Sequence, residues 1–311
     1  MISSIFGKTK PINYIIVATF LFLLYWLVQF YLPNTELKTE QILIKATIVV
    51  ILMSSVFVSN FIIQRNKITG ANSFAILFFA ALCLVFPETL LDSKAIVSLF
   101  FLLLAIRRIL SIKSLKSIKL KIFDATLWIL IASLFYNWSL LFLILVFAAI
   151  YIYEPKNIRN WLVPFVGIVA FTSITYSILI LANSASFFVE QYTFSFRFNK
   201  EYFLNWGTNV KYSIYILLNI FISVLAFLKM GASGVGKVTT MRLISYVFLL
   251  GLVIVLLSFG DGNPIILTFF SSAIFFTNYV ESIEKPKFKE VALILSILVP
   301  LLVFCSTLFL S

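Results

Sequence analysis

The sequence predicts an all-α protein that crosses a membrane about eleven times and forms a single helical domain over residues 1–311. Three observations predict this fold class. Hydrophobic residues make up 62% of the chain and charged residues only 12%, whereas soluble domains carry about 25% charged residues. Apolar stretches of about 20 residues, the length that crosses a bilayer as a helix, recur along the whole chain. Basic residues concentrate in alternate connecting segments, as they do in multi-pass membrane proteins.

The apolar segments follow one another with short polar connections. They cover roughly residues 13–32, 42–63, 72–87, 93–107, 123–137, 139–153, 161–182, 212–229, 242–259, 264–280 and 288–310. Segments three to six have only about 15 residues each, fewer than the roughly 20 that a perpendicular span needs. We therefore expect these four segments to be either short, tilted helices packed among neighbours or helices that enter the bilayer only in part.

The distribution of charge predicts how the chain is threaded. With a cytoplasmic N-terminus, 18 of the 24 basic residues fall in cytoplasmic connections. The periplasmic connections hold the other six and seven of the twelve acidic residues. Such an excess of Lys and Arg on the cytoplasmic side is general among membrane proteins, and one miscounted helix would invert the downstream half. The sequence thus predicts a multi-pass protein of the bacterial inner membrane with a periplasmic C-terminus.

The same reasoning argues against nucleic acid and nucleotide as partners. The net charge of +12 is explained by topology, without a nucleic-acid surface. The run GASGVGKVTT, residues 231–240, has the glycine and lysine spacing of a phosphate-binding P-loop. However, a P-loop follows a β-strand and needs Ser or Thr directly after its Lys, whereas here an apolar helix precedes the run and Val238 follows Lys237. We therefore expect a cytoplasmic turn between two helices.

Two connections are long enough to act as surfaces. Residues 107–121, RRILSIKSLKSIKLK, mix six cations with apolar residues and predict a basic amphipathic cytoplasmic loop that lies on an anionic leaflet or docks an acidic partner. Asp124 is expected to cap the helix that follows.

Residues 185–211 are rich in Phe, Tyr and Trp, which predicts a periplasmic loop at the membrane interface. Within it, Arg197 and Lys200 are candidate ligands for a lipid phosphate, or interfacial anchors.

Candidate catalytic residues are confined to the predicted periplasmic turns. Glu88 and Asp92 are four residues apart and would share a face of a short helix, where they could act as a general base or bind a divalent cation. Other outside acids are Glu36, Glu40 and Asp261. Taken singly, each of these carboxylates is more typical of a helix cap or a solvated turn residue.

The absent residue types narrow the range of chemistry. The chain has no His, and its two cysteines lie inside apolar segments, so the sequence predicts no metal site with His or Cys ligands, and only a divalent cation held by carboxylates stays open. No Asp, Glu, Lys or Arg lies in the middle of an apolar segment. Because buried ionisable groups are typical of ion-coupled carriers, this pattern argues against such a transporter.

Two stretches of the sequence resemble known membrane-protein families. The opening MISSIFGKTKPINYIIV and the block at residues 119–168 resemble an uncharacterised family of multi-pass inner-membrane proteins of Bacteroidota, chiefly flavobacteria. The run FDATLWILIASLFYNWSLLFLILVF is similar, more weakly, to the central helices of membrane glycosyltransferases of the GT-C type.

The second resemblance implies a GT-C-like helical arrangement and a polyprenyl-phosphate sugar as ligand at the periplasmic face. It also implies functional acids at Glu36 or Glu40 and at Glu88 or Asp92. Those enzymes carry the catalytic acid on a long first periplasmic loop, whereas this loop has only about eight residues. A non-catalytic relative and an enzyme therefore both stay open.

Two hypotheses of function follow from the sequence. In the first, the chain is a non-enzymatic subunit or scaffold of a cell-envelope assembly, with membrane lipids and other membrane-protein subunits as partners. In the second, it binds a polyprenyl-phosphate lipid and helps to transfer or handle its sugar. The first depends on what the chain lacks, and the second on Glu88, Asp92, Arg197 and Lys200.

Overall fold

The computed structural model describes residues 2–32, 39–194, 206–230, 234–258 and 262–310. Within these ranges the chain forms α-helices, short 3₁₀ helices and turns, and no strand. The helices are α1 (Ile2–Phe6), α2 (Pro11–Tyr31), α3 (Thr39–Asn66), α4 (Phe74–Val85), α5 (Ser93–Ser111), α6 (Ile118–Phe135), α7 (Leu143–Tyr153), α8 (Ile158–Leu181), α9 (Ser186–Gln191), α10 (Trp206–Met230), α11 (Val235–Leu257), α12 (Phe269–Glu281) and α13 (Pro286–Leu310). The 3₁₀ helices are Pro87–Leu90, Ile112–Ser114, Asn137–Phe142 and Pro264–Thr268.

By length and composition, eight helical segments in this part of the chain are able to cross a membrane. Each of the eleven apolar segments of the sequence overlaps one of the helices, and two shorter apolar helical segments, Phe74–Val85 and Asn137–Tyr153, lie between long ones. For the described residues, the prediction of an all-helical fold with helices suited to a membrane is therefore confirmed, whereas the eleven crossings and the GT-C-like arrangement stay predictions.

Helix α4 has 12 residues and α7 has 11, as the short apolar segments predict. Nearly every side chain of α4 is buried, so it lies among its neighbours. Helix α5 is longer than expected because it continues to Ser111, into the predicted basic loop. Only the turn around Leu115 and Ser117 joins the 3₁₀ helix at its end to α6.

The expectation for Asp124 was wrong. Ser117, and not Asp124, precedes the first residue of α6, so Asp124 lies two turns inside this helix. Its carboxylate forms an ion pair with Arg108 of α5 at 3.0 Å. This ion pair joins the two helices, which pack along their lengths as a hairpin.

The helices form an inner group and a surrounding group. In the segment Pro264–Glu281, 83% of the residues are buried. In the apolar spans of α8 and α13, only 17% of the residues are buried. Large apolar side chains cover the outside, among them Leu43, Leu181 and Leu302. Exposure on this scale is unfavourable in water but expected where hydrocarbon is the solvent.

Several buried Ser and Thr hydroxyls find acceptors within their own helix. Ser55, Thr126 and Thr277 each donate to a carbonyl oxygen of the preceding turn. Such a bond satisfies the hydroxyl donor without a partner on a neighbouring helix. These small polar residues can therefore pack inside an apolar bundle at little cost.

Connections that the charge pattern assigns to the cytoplasm contact one another in the structure. Asn13 Nδ2 donates to Lys8 O at 2.9 Å and to Ser73 Oγ at 3.1 Å. Glu281 accepts from Gly70 N at 2.8 Å, and Glu290 from Ile2 N at 2.6 Å. We call this side of the molecule the basic end, since the basic stretch 107–121 also lies there and Lys113 Nζ donates to Asn66 O.

The remaining connections meet at the other side of the molecule, called here the opposite end. Gln29 Nε2 at the end of α2 donates to Leu90 O at 2.9 Å. Gln191 at the end of α9 donates to Ser133 O near the end of α6 at 2.9 Å. The 3₁₀ helices Pro87–Leu90 and Pro264–Thr268 pack against each other and against α5. Predicted periplasmic connections thus contact one another, as the alternating threading requires.

Candidate functional site

An ion pair at the opposite end joins two distant parts of the chain. Lys211, in the second turn of α10, places its Nζ 2.9 Å from Glu88 Oε1 in the 3₁₀ helix after α4. The two side chains are 13% and 30% exposed. The Lys211 ammonium also lies 5.3 Å from the ring centre of Phe86, which adds a cation–π contact. Lys211 therefore has two attractive partners, yet Glu88 remains partly open to solvent.

Asp92 lies one turn beyond Glu88, and its side chain accepts hydrogen bonds from two backbone amides. As the N-cap of α5, its Oδ1 accepts from Ala95 N at 3.0 Å. Its Oδ2 accepts from Asn263 N at 3.0 Å, which ties the loop before the 3₁₀ helix Pro264–Thr268 to α5. Gly262 makes this approach sterically feasible, because a Cβ there would lie 2.4 Å from Asp92 Oδ2 and its φ is +109°. Both oxygens of Asp92 are thus engaged in holding two elements together.

A small cavity of about 360 Å³ opens beside these carboxylates. Glu88, Asp92 and Lys94 bring charge to its wall, and Tyr136 and Asn263 complete the polar lining. The two predicted catalytic acids therefore do line one site. Among the residues that the structure describes, no three Asp, Glu, Cys or His side chains come together as metal ligands.

Glu88 also lines a larger apolar cleft of about 920 Å³. Helices α4, α10 and α13 form its walls, and Phe276 of α12 contributes to the lining. Its wall is mainly apolar, with Leu82, Val85, Ile214, Leu218, Val299 and Val303 among the lining residues. The volume is near the upper end of the roughly 300–1,000 Å³ typical of small-molecule sites. Glu88 and Lys211 line the part of the cleft that lies at the opposite end of the molecule. The apolar cleft therefore ends at an ion pair.

Several predicted site residues lie outside the described part of the chain. These are Glu36, Arg197, Lys200 and Asp261. Glu40 lies in the first turn of α3, but its side chain is likewise not described. Their proposed roles stay predictions.

The described part of the aromatic loop 185–211 packs on the helices. Tyr192 and Ser133 share a hydrogen bond of 2.7 Å between their hydroxyls, and the rings of Phe194 and Trp138 lie 4.9 Å apart in an edge-to-face arrangement. Residues up to Phe194 therefore cover the end of α6 and the 3₁₀ helix Asn137–Phe142. This placement agrees with an aromatic segment at the membrane interface.

Sequence reasoning missed Lys211 as a site residue. Lys211 is one of the six basic residues in the predicted periplasmic connections, and it directly precedes the apolar run of α10 on the side where basic residues are rare. That position was the available signal, because a cation against the charge bias is expected to have a specific partner. Comparison of the chain with known protein families, with curated proteins and with solved structures found no match in any of the three.

Proposed function

We propose that this protein is a multi-pass membrane protein that binds a long-chain phosphate lipid, of the polyprenyl-phosphate class, from the periplasmic leaflet. The observation that carries the proposal is the apolar cleft that ends at Lys211. A hydrocarbon chain suits the mainly apolar walls, and the lysine supplies a charged donor at the depth where the chain meets the headgroup. In this proposal Lys211 is a phosphate ligand, the role that the sequence also predicts for Arg197 and Lys200.

The proposed orientation has a cytoplasmic N-terminus, eleven crossings and a periplasmic C-terminus in a bacterial inner membrane. Two observations support it. The connections form two groups, one at each end of the molecule, and the members of each group contact one another. The cations are concentrated at the basic end, where the positive-inside rule places the cytoplasm. The cleft then opens at the periplasmic side.

The alternative of a scaffold subunit in an envelope assembly differs in what fills the cleft. A subunit would place an apolar helix of its partner there, and no phosphate would be needed at Lys211. A lipid-binding protein instead needs both the apolar walls and the cation. The cation at the end of the cleft is therefore the feature that favours lipid binding over the subunit hypothesis.

Lipid binding is tested by native mass spectrometry of the purified protein with polyprenyl phosphate. We expect a one-to-one complex in the wild type. Lys211→Met should weaken the complex about tenfold or more, since a hydrogen bond to a charged group contributes about 1.5–3 kcal/mol and about 1.4 kcal/mol is a factor of ten. Lys287→Met, the same substitution at the basic end, is the control. Equal binding by all three proteins would refute the proposal, and a stoichiometric protein partner without lipid would favour the subunit hypothesis.

A further inference from the structure

The apolar cleft and the small polar cavity have one side chain in common. Glu88 lines both spaces, with Lys211 on the cleft side and Asp92 and Lys94 on the cavity side. A lipid whose chain occupies the cleft would therefore have its headgroup directed towards the small cavity. This inference rests on the proposed function and extends it to the chemistry of the headgroup.

The two acids at this boundary differ in their freedom to bind a ligand. Asp92 is engaged through both oxygens by the amides of Ala95 and Asn263. Glu88 is engaged by a side chain, Lys211, through Oε1. Exchange of Glu88 for a ligand phosphate at Lys211 breaks one side-chain contact and no backbone hydrogen bond. Glu88 is thus the group that a ligand would displace.

The lining of the small cavity suits a neutral headgroup with hydroxyls. Glu88 and Asp92 line this cavity together with Lys94, and Asn263 adds an amide. With Lys211 next to Glu88 and Lys45 within electrostatic reach of Asp92, three cations lie near two carboxylates. A phosphodiester would offset this single excess positive charge, so the rest of the headgroup needs no charge of its own, and the lining offers it hydrogen-bond acceptors and donors together.

We propose that the small cavity binds the hydroxylated group attached to the phosphate of the bound lipid, and that Glu88 changes partner on binding. In the empty site Glu88 pairs with Lys211. In the occupied site Lys211 binds the phosphate, and the released Glu88 carboxylate accepts hydrogen bonds from the hydroxyls of the headgroup. The shared ligand chemistry is a phosphodiester that joins a long apolar chain to a neutral polyhydroxyl group.

Glu88 then has opposite effects on two kinds of lipid. For a lipid with a bare phosphate, Glu88 is only a competitor for Lys211. For a lipid with hydroxyls beyond the phosphate, Glu88 is also an acceptor, and an ionised acceptor forms the stronger hydrogen bonds. Glu88→Gln should therefore tighten binding of the first kind and weaken the preference for the second.

The experiment compares dissociation constants in detergent for two pairs of lipids with matched chains. One pair is phosphatidic acid and phosphatidylglycerol, and the other is polyprenyl phosphate and its phosphate-linked hexose. In the wild type we expect the hydroxylated member to bind about tenfold more tightly, in the pair whose chain the cleft accepts. Comparing the two pairs distinguishes an ordinary phospholipid from a polyprenyl carrier as the source.

Two variants and one control complete the test. Glu88→Gln should tighten binding of the bare phosphate lipid about threefold or more and abolish the tenfold preference. Lys94→Met, at a residue that lines only the small cavity, should reduce the preference and leave binding of the bare phosphate lipid unchanged. Glu190→Gln removes an exposed carboxylate that lines neither cavity and should behave as the wild type.

The outcomes separate the two proposals. If the wild type binds none of the four lipids, the proposed function is wrong and this inference falls with it. If both members of a pair bind equally and Glu88→Gln changes neither, lipid binding stands but the headgroup site is refuted. If Glu88→Gln weakens binding of the bare phosphate lipid, the exchange of partners is refuted, because Glu88 would then support the phosphate and not compete with it.

Discussion

Asp92 shows how one carboxylate stabilises two elements. The sequence left it open whether Asp92 caps a helix or acts as a base or metal ligand, because an acid before a helical run has the same pattern in each case. Its two backbone partners are now known, and the second, Asn263, is 171 residues away. No local pattern could predict that contact. The cap was predictable from the sequence, whereas the tie between α5 and the loop at Gly262 was not.

Replacement of Asp92 tests this role. Asp92→Ala removes a helix cap and leaves Asn263 N without its acceptor, so we expect a loss of about 2 kcal/mol in stability. Asp92→Asn should lose less, because Asn is about as good an N-cap but its amide group cannot accept from both backbone amides. Apparent melting temperatures in detergent should be highest for the wild type, lower for Asp92→Asn and lowest for Asp92→Ala. Equal values for all three would contradict the structural role of Asp92.

At the scale of elements, hydrophobic length predicted most helices but misjudged several connections, because α5, α6, α10 and α11 all extend into residues predicted as loops or turns. The apolar run of α5 stops near Arg107, yet the helix continues to Ser111. Arg107 and Arg108 have partners there, the ring of Phe61 at 5.1 Å and the carboxylate of Asp124. These contacts offset the polarity of the last turn, so tertiary structure extends the helix beyond its apolar run. Such contacts are not visible in the local sequence.

Helix α10 offers a matched pair of substitutions for the cleft. Leu218 lines the cleft and is 44% exposed, whereas its neighbour Leu217 does not line it and is 68% exposed. We expect Leu218→Trp to fill part of the cleft and to reduce lipid occupancy about fivefold or more, because the chain loses apolar contact area. Leu217→Trp adds the same ring on a surface that faces the membrane and should keep wild-type occupancy. Quantitative lipid extraction of the purified variants measures both, and parallel losses would mean that the cleft is not where the lipid binds.

At the scale of the whole molecule, the threading stays a prediction that depends on sums over many residues, whereas the grouping of the connections at two ends is visible in the structure. The charge bias alone assigned the connections to two sides, and contacts within each group then fit that assignment. The cleft was not predictable, since its walls come from α4, α10 and α13, which are far apart in the chain. Composition describes how polar a helix is, but not which helices leave a gap between them.

The proposed orientation predicts which end reacts with an external reagent. With Cys305, the exposed native cysteine, replaced by Ser, a single cysteine is introduced as Glu190→Cys or Lys287→Cys. A maleimide that does not cross membranes should label Glu190→Cys in intact cells whose outer membrane is permeable. It should label Lys287→Cys only after the inner membrane is opened. The reverse pattern would place the cleft at the cytoplasmic side.

The most direct test of the central claim is a density map of the protein in nanodiscs made from its native membrane. The account predicts elongated density along the cleft between α4, α10 and α13, with a phosphate at hydrogen-bond distance, about 2.7–2.9 Å, from Lys211 Nζ. It also predicts that Glu88 has turned away from Lys211 towards the small cavity. A cleft filled by a helix of another protein, or closed with the Glu88–Lys211 pair intact, would contradict it.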